Sequence, residues 1–243
     1  MTLEGPDGAG KTTQAALLVE HLRAAGHDVV ALREPGGTAV GEQIRSLLID
    51  PRHAELAPRT EMLLFAASRA QLVAEVIGPA LARGRIVVCE RYLDASLAYQ
   101  GVARGLGVDL VRAVNDAATG GLRPDLTLLL DLDPETGLRR ARAASRSRGA
   151  SQRDALASPP SRTSQRDALA SPGTEGWEGG DRMERETPAF HARVREGFLA
   201  LARIEPQRIR VIDARRPVVD VQREITAAVD GLLREGRRAG GAS

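Results

Sequence analysis

The chain has 243 residues, of which 42% are hydrophobic, 27% are charged and 2% are aromatic, and its formal net charge is +2. This length and balance predict a single globular domain over residues 1–243 with one sizeable core. A lone cysteine, no apolar run of about 18 residues and no basic run interleaved with aromatics argue against a disulfide scaffold, a membrane span and nucleic-acid binding, so we expect a cytoplasmic protein without membrane or nucleic-acid partners.

Short apolar runs alternate with longer amphipathic stretches along the chain. This alternation is typical of a parallel β-sheet wrapped by helices, and it predicts an α/β fold with five parallel strands. The first predicted strand ends at Glu4, and the other four cover 28–33, 85–90, 125–131 and 208–213. The predicted helices cover about 11–25, 39–50, 60–83, 92–100, 108–118, a stretch that begins near Pro134, 183–203 and 218–235.

The turn after the first strand carries a phosphate-binding motif. Residues 5–12 match G-x-x-x-x-G-K-[ST] at every position, and Lys11 is the one lysine of the chain. Glycines let successive N–H groups point at phosphate oxygens, and the helix that follows favours the anion at its N-terminus. Lys11 would reach the β- and γ-phosphates, and the Thr12 hydroxyl would coordinate Mg²⁺. The predicted ATP-binding residues are Gly5, Pro6, Asp7, Gly8, Ala9, Gly10, Lys11, Thr12 and Thr13.

The single lysine also narrows the class of nucleotide-binding protein. A GTP-binding switch protein recognises guanine with an N-K-x-D box, which requires a second lysine. Partitioning ATPases carry an additional lysine near the start of the loop. The remaining classes are a small ATP-dependent phosphotransferase and a minimal ATPase.

A duplicated segment interrupts the regular pattern. Ser151–Pro159, SQRDALASP, recurs unchanged as Ser164–Pro172. Surroundings rich in Ser, Pro, Gly and Arg cannot bury a core, so residues 145–180 are predicted to be a disordered, low-complexity insertion. Neutral repeat expansion explains this insertion better than a binding role does.

Several separated segments resemble the thymidylate kinases, a family of P-loop nucleoside monophosphate kinases. The segment 4–14, EGPDGAGKTTQ, resembles the opening of that family, and 33–38, REPGGT, resembles its next signature. Glu90–Arg91–Tyr92 and the SLAYQG block at 96–101 resemble a third region. The resemblance implies a P-loop NTPase-type fold and a homodimer. It also implies an enzyme that uses Mg²⁺ and transfers the γ-phosphate of ATP to thymidine monophosphate (dTMP), giving the diphosphate in dTTP biosynthesis.

The resemblance assigns the base-binding part of the acceptor site. Phe65 and Arg69 are four residues apart on a predicted helix and therefore share a face. The resemblance implies that Phe65 stacks on thymine and that Arg69 binds its carbonyl edge. Ser96, Tyr99 and Gln100 also have the spacing of one helical face, which in the family contacts the base and the deoxyribose.

The resemblance also assigns the phosphate end of the acceptor. Arg91 follows a buried strand at its carboxyl end, where open α/β sheets bind ligands. By resemblance it clamps the acceptor phosphate together with Arg45, a task that suits the planar guanidinium fork. Asp7 resembles the carboxylate that orients the acceptor. The implied dTMP-binding residues are Asp7, Glu34, Pro35, Arg45, Phe65, Arg69, Arg91, Ser96, Tyr99 and Gln100.

Phosphoryl transfer to an acceptor phosphate, already ionised at neutral pH, requires alignment and charge neutralisation. Because Gly8 follows Asp7, the family pattern implies a catalytic arginine in a lid between Leu138 and Glu184. The candidates in that lid are Arg142, Arg146, Arg148 and Arg182, of which Arg182 best matches the point where the family pattern resumes. The predicted catalytic residues are Lys11, Arg91, Asp7 and Arg182, and the predicted metal-binding residues are Thr12 and Glu90.

Two departures from the family leave alternatives open. Glu90 stands where the family usually has aspartate, and the first strand has few residues before the loop. The additional methylene matters at a site where a misplacement of ~1 Å is costly. A related nucleotide kinase with another acceptor is one alternative. A catalytically degraded nucleotide-binding protein, recognisable by ATP binding without transfer, is the other.

Overall fold

The computed structural model describes residues 1–143 and 180–240, with side chains to residue 235. The predicted insertion lies outside the described residues except for Gly180. The strands are β1 (Thr2–Glu4), β2 (Val29–Arg33), β3 (Ile86–Glu90), β4 (Thr127–Asp131) and β5 (Ile209–Asp213). They form one parallel sheet in the order β2–β3–β1–β4–β5, which confirms the predicted α/β fold class.

Helices connect successive strands and pack on the sheet. Two helical segments, Val73–Ile77 and Leu97–Ala103, have the wider turns of a π-helix. A short 3₁₀ turn covers Pro51–His53. The helices are α1 (Lys11–Ala24), α2 (Ala39–Ile49), α3 (Pro58–Leu72), α4 (Gly78–Ala82), α5 (Leu93–Ser96), α6 (Val108–Thr119), α7 (134–143), α8 (Pro188–Ile204) and α9 (Val218–Gly240).

Two hydrophobic clusters cover the two faces of the sheet. Successive strand residues point to opposite faces, so Leu128 and Leu130 belong to one cluster and Leu129 to the other. The first cluster, which contains Leu128 and Leu130, lies under α1 and α9. The second cluster, which contains Leu129, lies under α3, α6 and α8. Burial on both faces explains why the strands are almost continuous apolar runs in the sequence.

The prediction of a long helix over 183–203 is wrong at its start, because α8 begins at Pro188. The Thr187 hydroxyl accepts the N–H of Phe190 at 3.2 Å, and proline occupies the first helical turn, where its missing N–H is not needed. Before this cap, Asp181 Oδ1 accepts two backbone N–H groups at 2.9 Å each and stabilises a separate turn.

The helical run over 58–82 is long and apolar enough to cross a membrane by length and composition alone, with a mean hydropathy of 1.2 in its most apolar window. In this fold it packs within the domain. Met62 and Leu72 are buried in the second cluster, and Arg69 forms a buried ion pair with Glu34. The run therefore packs one face on the rest of the fold, and 33% of its most apolar window is buried.

Candidate active site

The loop between β1 and α1 lies at the carboxyl end of the central strand. Gly5, Gly8 and Gly10 have φ values of 134°, 72° and 92°, which L side chains rarely adopt. A Cβ on Gly8 would lie 1.9 Å from the carbonyl oxygen of Gly137, so the loop also requires glycine for this close approach. No side chain caps α1 at Gly10, so the first N–H groups of that helix are available to a phosphate.

Lys11 folds back over this loop. Its Nζ donates hydrogen bonds to the carbonyl oxygens of Gly5 at 3.1 Å and Pro6 at 2.8 Å, and the residue is 5% exposed. Burial, assisted by the nearby Arg91 guanidinium, lowers the pKa of Lys11 to about 8. A bound phosphate would supply the negative charge that this buried ammonium needs.

The predicted metal-binding residues meet at the same edge of the sheet. Thr12 Oγ1, in the first turn of α1, donates a hydrogen bond to Glu90 Oε2, at the end of β3, at 2.8 Å. Hydroxyl and carboxylate oxygens are ligands that Mg²⁺ accepts, with waters and substrate phosphates completing its octahedron. The described residues include no group of three or more His, Cys, Asp or Glu side chains that could hold a metal ion. The donor set therefore fits Mg²⁺ held jointly with a nucleotide.

Asp7 links the phosphate loop to two predicted acceptor residues. Arg91 Nη2 donates to Asp7 Oδ1 at 2.5 Å, and Tyr99 Oη donates to Asp7 Oδ2 at 3.3 Å. The Arg91 guanidinium also lies 5.2 Å from the centroid of the Tyr99 ring. Burial opposes ionisation of Asp7, but the Arg91 and Lys11 cations outweigh it and lower the pKa. Burial raises the pKa of Tyr99, which keeps its hydroxyl a donor.

A buried ion pair between Arg69 and Glu34 joins α3 to the loop after β2. Arg69 Nε donates to Glu34 Oε2 at 2.8 Å, and Nη2 lies 2.6 Å from the same oxygen. The other donors reach Ser96 Oγ (3.1 Å), Asn115 Oδ1 (2.6 Å) and the Tyr92 carbonyl (3.0 Å). The Arg69 guanidinium thus donates four hydrogen bonds within the protein, and a bond from Arg69 to a thymine carbonyl stays a prediction.

The other base-site prediction from helical spacing is wrong in its geometry. Residues 97–103 form a π-helical segment, so Ser96, Tyr99 and Gln100 do not follow the α-helical repeat. All three are buried, and each has a different partner. Phe65 lies half-buried on α3, one turn from Arg69. Contact of these four side chains with a base stays a prediction.

Arg45 lies on α2 beside the loop after β2. Its Nη1 donates to the Pro35 carbonyl oxygen at 3.1 Å, and the residue is half-buried. Burial and the neighbouring Arg33 lower the pKa of Arg45 to about 10, while Glu42, Asp181 and Glu90 oppose that shift. The binding of the acceptor phosphate by Arg45 stays a prediction.

Glu61 is a buried hub that the sequence analysis missed. It is 0% exposed, and its carboxylate accepts hydrogen bonds from Gln100 (2.8 Å), Arg104 (2.9 Å) and Arg182 (2.7 Å). These donors, Arg104 foremost, lower the pKa of Glu61 against the effect of burial. An acidic residue in the first turn of a helix is usually exposed, so no local signal marked it.

Arg182 occupies this hub. Its Nε donates to the Leu48 carbonyl oxygen at 2.7 Å, and the residue is 6% exposed. In this conformation Arg182 joins the turn before α8 to α2 and α3, so its catalytic role stays a prediction. Arg142 lies exposed on α7, and Arg146 and Arg148 lie outside the described residues.

His191 is a second residue that the sequence analysis missed. It is 2% exposed on α8, next to Phe190, whose ring packs edge-on against Tyr99 at 6.1 Å. Its Nε2 has no hydrogen-bond partner among the described residues. Burial lowers the pKa of His191, while the charges of Asp7 and Glu186 oppose this shift. The sequence signal for His191 is its place as a polar residue among the apolar positions of a predicted helix.

The glycine-rich loop before α1, the hydroxyl–carboxylate pair beside it and the arginine bound to the loop carboxylate are the arrangement of a P-loop kinase. Comparisons with known proteins specify which one. The family model described as thymidylate kinase matches residues 3–160, and the chain belongs to the thymidylate kinase family.

Sequences of known thymidylate kinases align with almost the whole of this chain. A thymidylate kinase of Deinococcus radiodurans is 49% identical over 229 residues, which are 94% of this chain and 95% of the relative. One of Desulfosudis oleivorans is 46% identical over 230 residues, 95% of each chain. A crystal structure of thymidylate kinase from Ehrlichia chaffeensis matches with a TM-score of 0.66 at 29% identity, covering 94% of this chain and 96% of that one.

Proposed function

We propose that this chain transfers the γ-phosphate of ATP to dTMP and releases ADP and thymidine diphosphate, a step in dTTP biosynthesis. The observation that carries the proposal is the hydrogen bond between Asp7 and Arg91. It joins the loop for the donor phosphates to the arginine for the acceptor phosphate. The comparisons give no support to the alternatives, a kinase with another acceptor or a degraded nucleotide-binding protein.

The donor half of the site holds ATP. The loop N–H groups and Lys11 bind the β- and γ-phosphate oxygens, and Thr12 and Glu90 would hold Mg²⁺. When bound, Mg²⁺ neutralises charge on the transferring group. The short range of these contacts fixes the γ-phosphate at the carboxyl end of β1, where transfer requires in-line approach of the acceptor.

The acceptor half presents a phosphate oxygen of dTMP as the nucleophile. Arg91 binds that phosphate, and Asp7 orients the guanidinium through the 2.5 Å contact. Arg45 supplies a second cation, and a lid arginine, for which we retain Arg182, neutralises charge that develops on the transferred group. No general base is needed because the nucleophilic oxygen is already ionised.

The base of dTMP lies against α3 and the π-helical segment. Phe65 supplies a stacking surface, and Arg69, which its ion pair with Glu34 orients, recognises the carbonyl edge. Ser96 and Gln100 are buried hydrogen-bonding groups on the facing segment. Pro35 and Tyr99 complete the acceptor pocket.

We also propose a cytoplasmic homodimer. Large apolar side chains remain exposed on α2, α3 and α6, and these helices pack together: Val40, Leu47, Leu63 and Leu110 are 47%, 48%, 55% and 41% exposed. Light scattering should give twice the chain mass, and Leu63→Arg should give monomers. Ile204→Arg, at an exposed apolar site on α8, is the matched control that should stay dimeric. A monomeric parent chain overturns the dimer.

Initial rates with Mg²⁺-ATP and a panel of nucleoside monophosphates test the activity. We expect dTMP to be phosphorylated with the highest kcat/KM, and Lys11→Ala to remove this transfer. Preference for another acceptor favours the related-kinase alternative. ATP binding without transfer to any acceptor favours the degraded protein.

A further inference from the structure

Glu4 is a buried carboxyl group next to the proposed site, and it has no role in the phosphoryl transfer proposed for that site. It is the last residue of β1, directly before the phosphate loop, and it is 0% exposed. Its Oε1 accepts the backbone N–H of Tyr92 at 2.7 Å and that of Ala95 at 3.3 Å. Its Oε2 has no partner among the described residues. The carboxyl therefore contacts the backbone that follows Arg91.

Arg91 has an unusual backbone. Its φ is 63°, and within residues 1–143 and 180–240 it is the one residue other than glycine with a positive φ. Such a conformation is strained for an L residue and persists only when its surroundings hold it. Its own N–H donates to Leu3 O at 2.9 Å, and the next N–H donates to Glu4.

Three consecutive residues around the end of β1 thus hold one arginine. Leu3 binds its amide, Glu4 binds the amide that follows it, and Gly5 O accepts from Arg91 Nη1 at 3.1 Å. The guanidinium then reaches Asp7. If the Glu4 contact is lost, the buried N–H of Tyr92 and the partly buried N–H of Ala95 lose this acceptor, and the turn can relax toward negative φ. The guanidinium would move with it.

We propose that Glu4 is a positioning residue for phosphoryl transfer: its side-chain oxygen fixes the left-handed turn at Arg91 and so aims the guanidinium at the acceptor phosphate. This inference rests on the proposed function, because it takes Arg91 as the group that binds that phosphate. Glu4 acts through Arg91 and does not touch the substrate.

The charge state of Glu4 suits this role. Burial, followed by the nearby Asp94, raises the pKa of Glu4 to about 8, although Arg91 and Lys11 oppose this shift. At pH 7 the carboxyl is mainly neutral and accepts the two N–H groups as an amide oxygen would. Because a neutral Glu4 does not pair with the Arg91 cation, that cation remains available to Asp7 and to the substrate phosphate. Glutamine therefore reproduces both properties.

The test compares Glu4→Gln with Glu4→Ala in the full chain, with dTMP and ATP varied separately. We expect Glu4→Gln to stay within about threefold of the parent. Glu4→Ala should raise the KM for dTMP or lower kcat by at least tenfold, while the KM for ATP changes less than threefold. Glu4→Met, which fills the same space without a strong acceptor, should behave like Glu4→Ala and replaces it if that variant does not fold.

Three results overturn the inference and leave the proposed function in place. A folded Glu4→Ala and Glu4→Met with parental dTMP kinetics show that the turn does not need this oxygen. A Glu4→Gln as impaired as Glu4→Ala shows that an ionised carboxylate is required instead. An equal rise of both KM values places the effect in the phosphate loop. A parent chain that never phosphorylates dTMP overturns the proposed function itself, and this inference with it.

Discussion

Thr12 and Glu90, 78 residues apart in the chain, are joined by a hydrogen bond of 2.8 Å between hydroxyl and carboxylate. The sheet produces this contact, because β1 and β3 are parallel neighbours with Leu3 opposite Glu90. The first turn of the helix after β1 therefore lies beside the carboxyl end of β3. The glutamate side chain spans the remaining distance, so the additional methylene relative to aspartate still delivers a carboxylate to the proposed cation site.

Glu90→Gln should weaken the binding of Mg²⁺ while preserving the shape of the site. Loss of one carboxylate charge should raise the Mg²⁺ concentration for half-maximal rate by about tenfold, as is typical of perturbed metal sites. Glu90→Asp is the matched control and should stay closer to the parent chain. Binding of Mn²⁺ with ATP, followed by its electron paramagnetic resonance, measures affinity without turnover. Unchanged Mg²⁺ dependence in Glu90→Gln would place the cation elsewhere.

Lys11→Ala should lose at least a hundredfold in kcat, the size of effect seen when one charge-stabilising group is removed. The free energy of unfolding should change little or increase, because Lys11 is buried with only carbonyl oxygens as its hydrogen-bond partners. Steady-state rates and chemical denaturation measure the two effects. Arg83→Ala, on the exposed surface after α4, is the control for loss of a cation. Near-parental turnover in Lys11→Ala would refute the loop assignment.

The sheet and the phosphate loop could be predicted because their signals are local. Residues 86–90 and 127–131 are apolar runs buried on both faces, and residues 5–12 are contiguous. The Glu61 hub could not be predicted from the sequence, because its donors Arg104 and Arg182 lie 43 and 121 residues away along the chain. Helical periodicity also assumes 3.6 residues per turn, so it does not predict the wider turns of the segment 97–103.

Arg182→Met should reduce stability and catalysis through different contacts. It removes one of two cations from the buried Glu61 carboxylate, and breaking a buried ion pair costs about 3 kcal/mol of unfolding free energy. If Arg182 is also the lid arginine, kcat of the folded protein should fall at least a hundredfold. Arg142→Met, at an exposed site on α7, should leave stability unchanged. A large kcat loss in Arg142→Met alone would transfer the catalytic role to that residue.

The stability of the chain should depend on pH through Glu4. Its pKa rises from 4.5 toward about 8 on folding, chiefly because burial disfavours the charged carboxylate. The neutral group therefore contributes its full stability below pH 4.5, and that contribution is lost as pH rises through about 8. Across this window the free energy of unfolding should fall by up to about 1.4 kcal/mol per pH unit relative to Glu4→Gln, which cannot ionise.

Urea denaturation at pH 5, 6.5 and 8 measures this difference. The parent chain and Glu4→Gln share Lys11, whose pKa is lowered to about 8, so its contribution largely cancels. Glu20→Gln, on the exposed surface of α1, is the control and should show no such dependence relative to the parent. A constant difference between the parent and Glu4→Gln from pH 5 to 8 would mean that Glu4 stays ionised. Its second oxygen would then have a partner, such as a buried water, that compensates the charge.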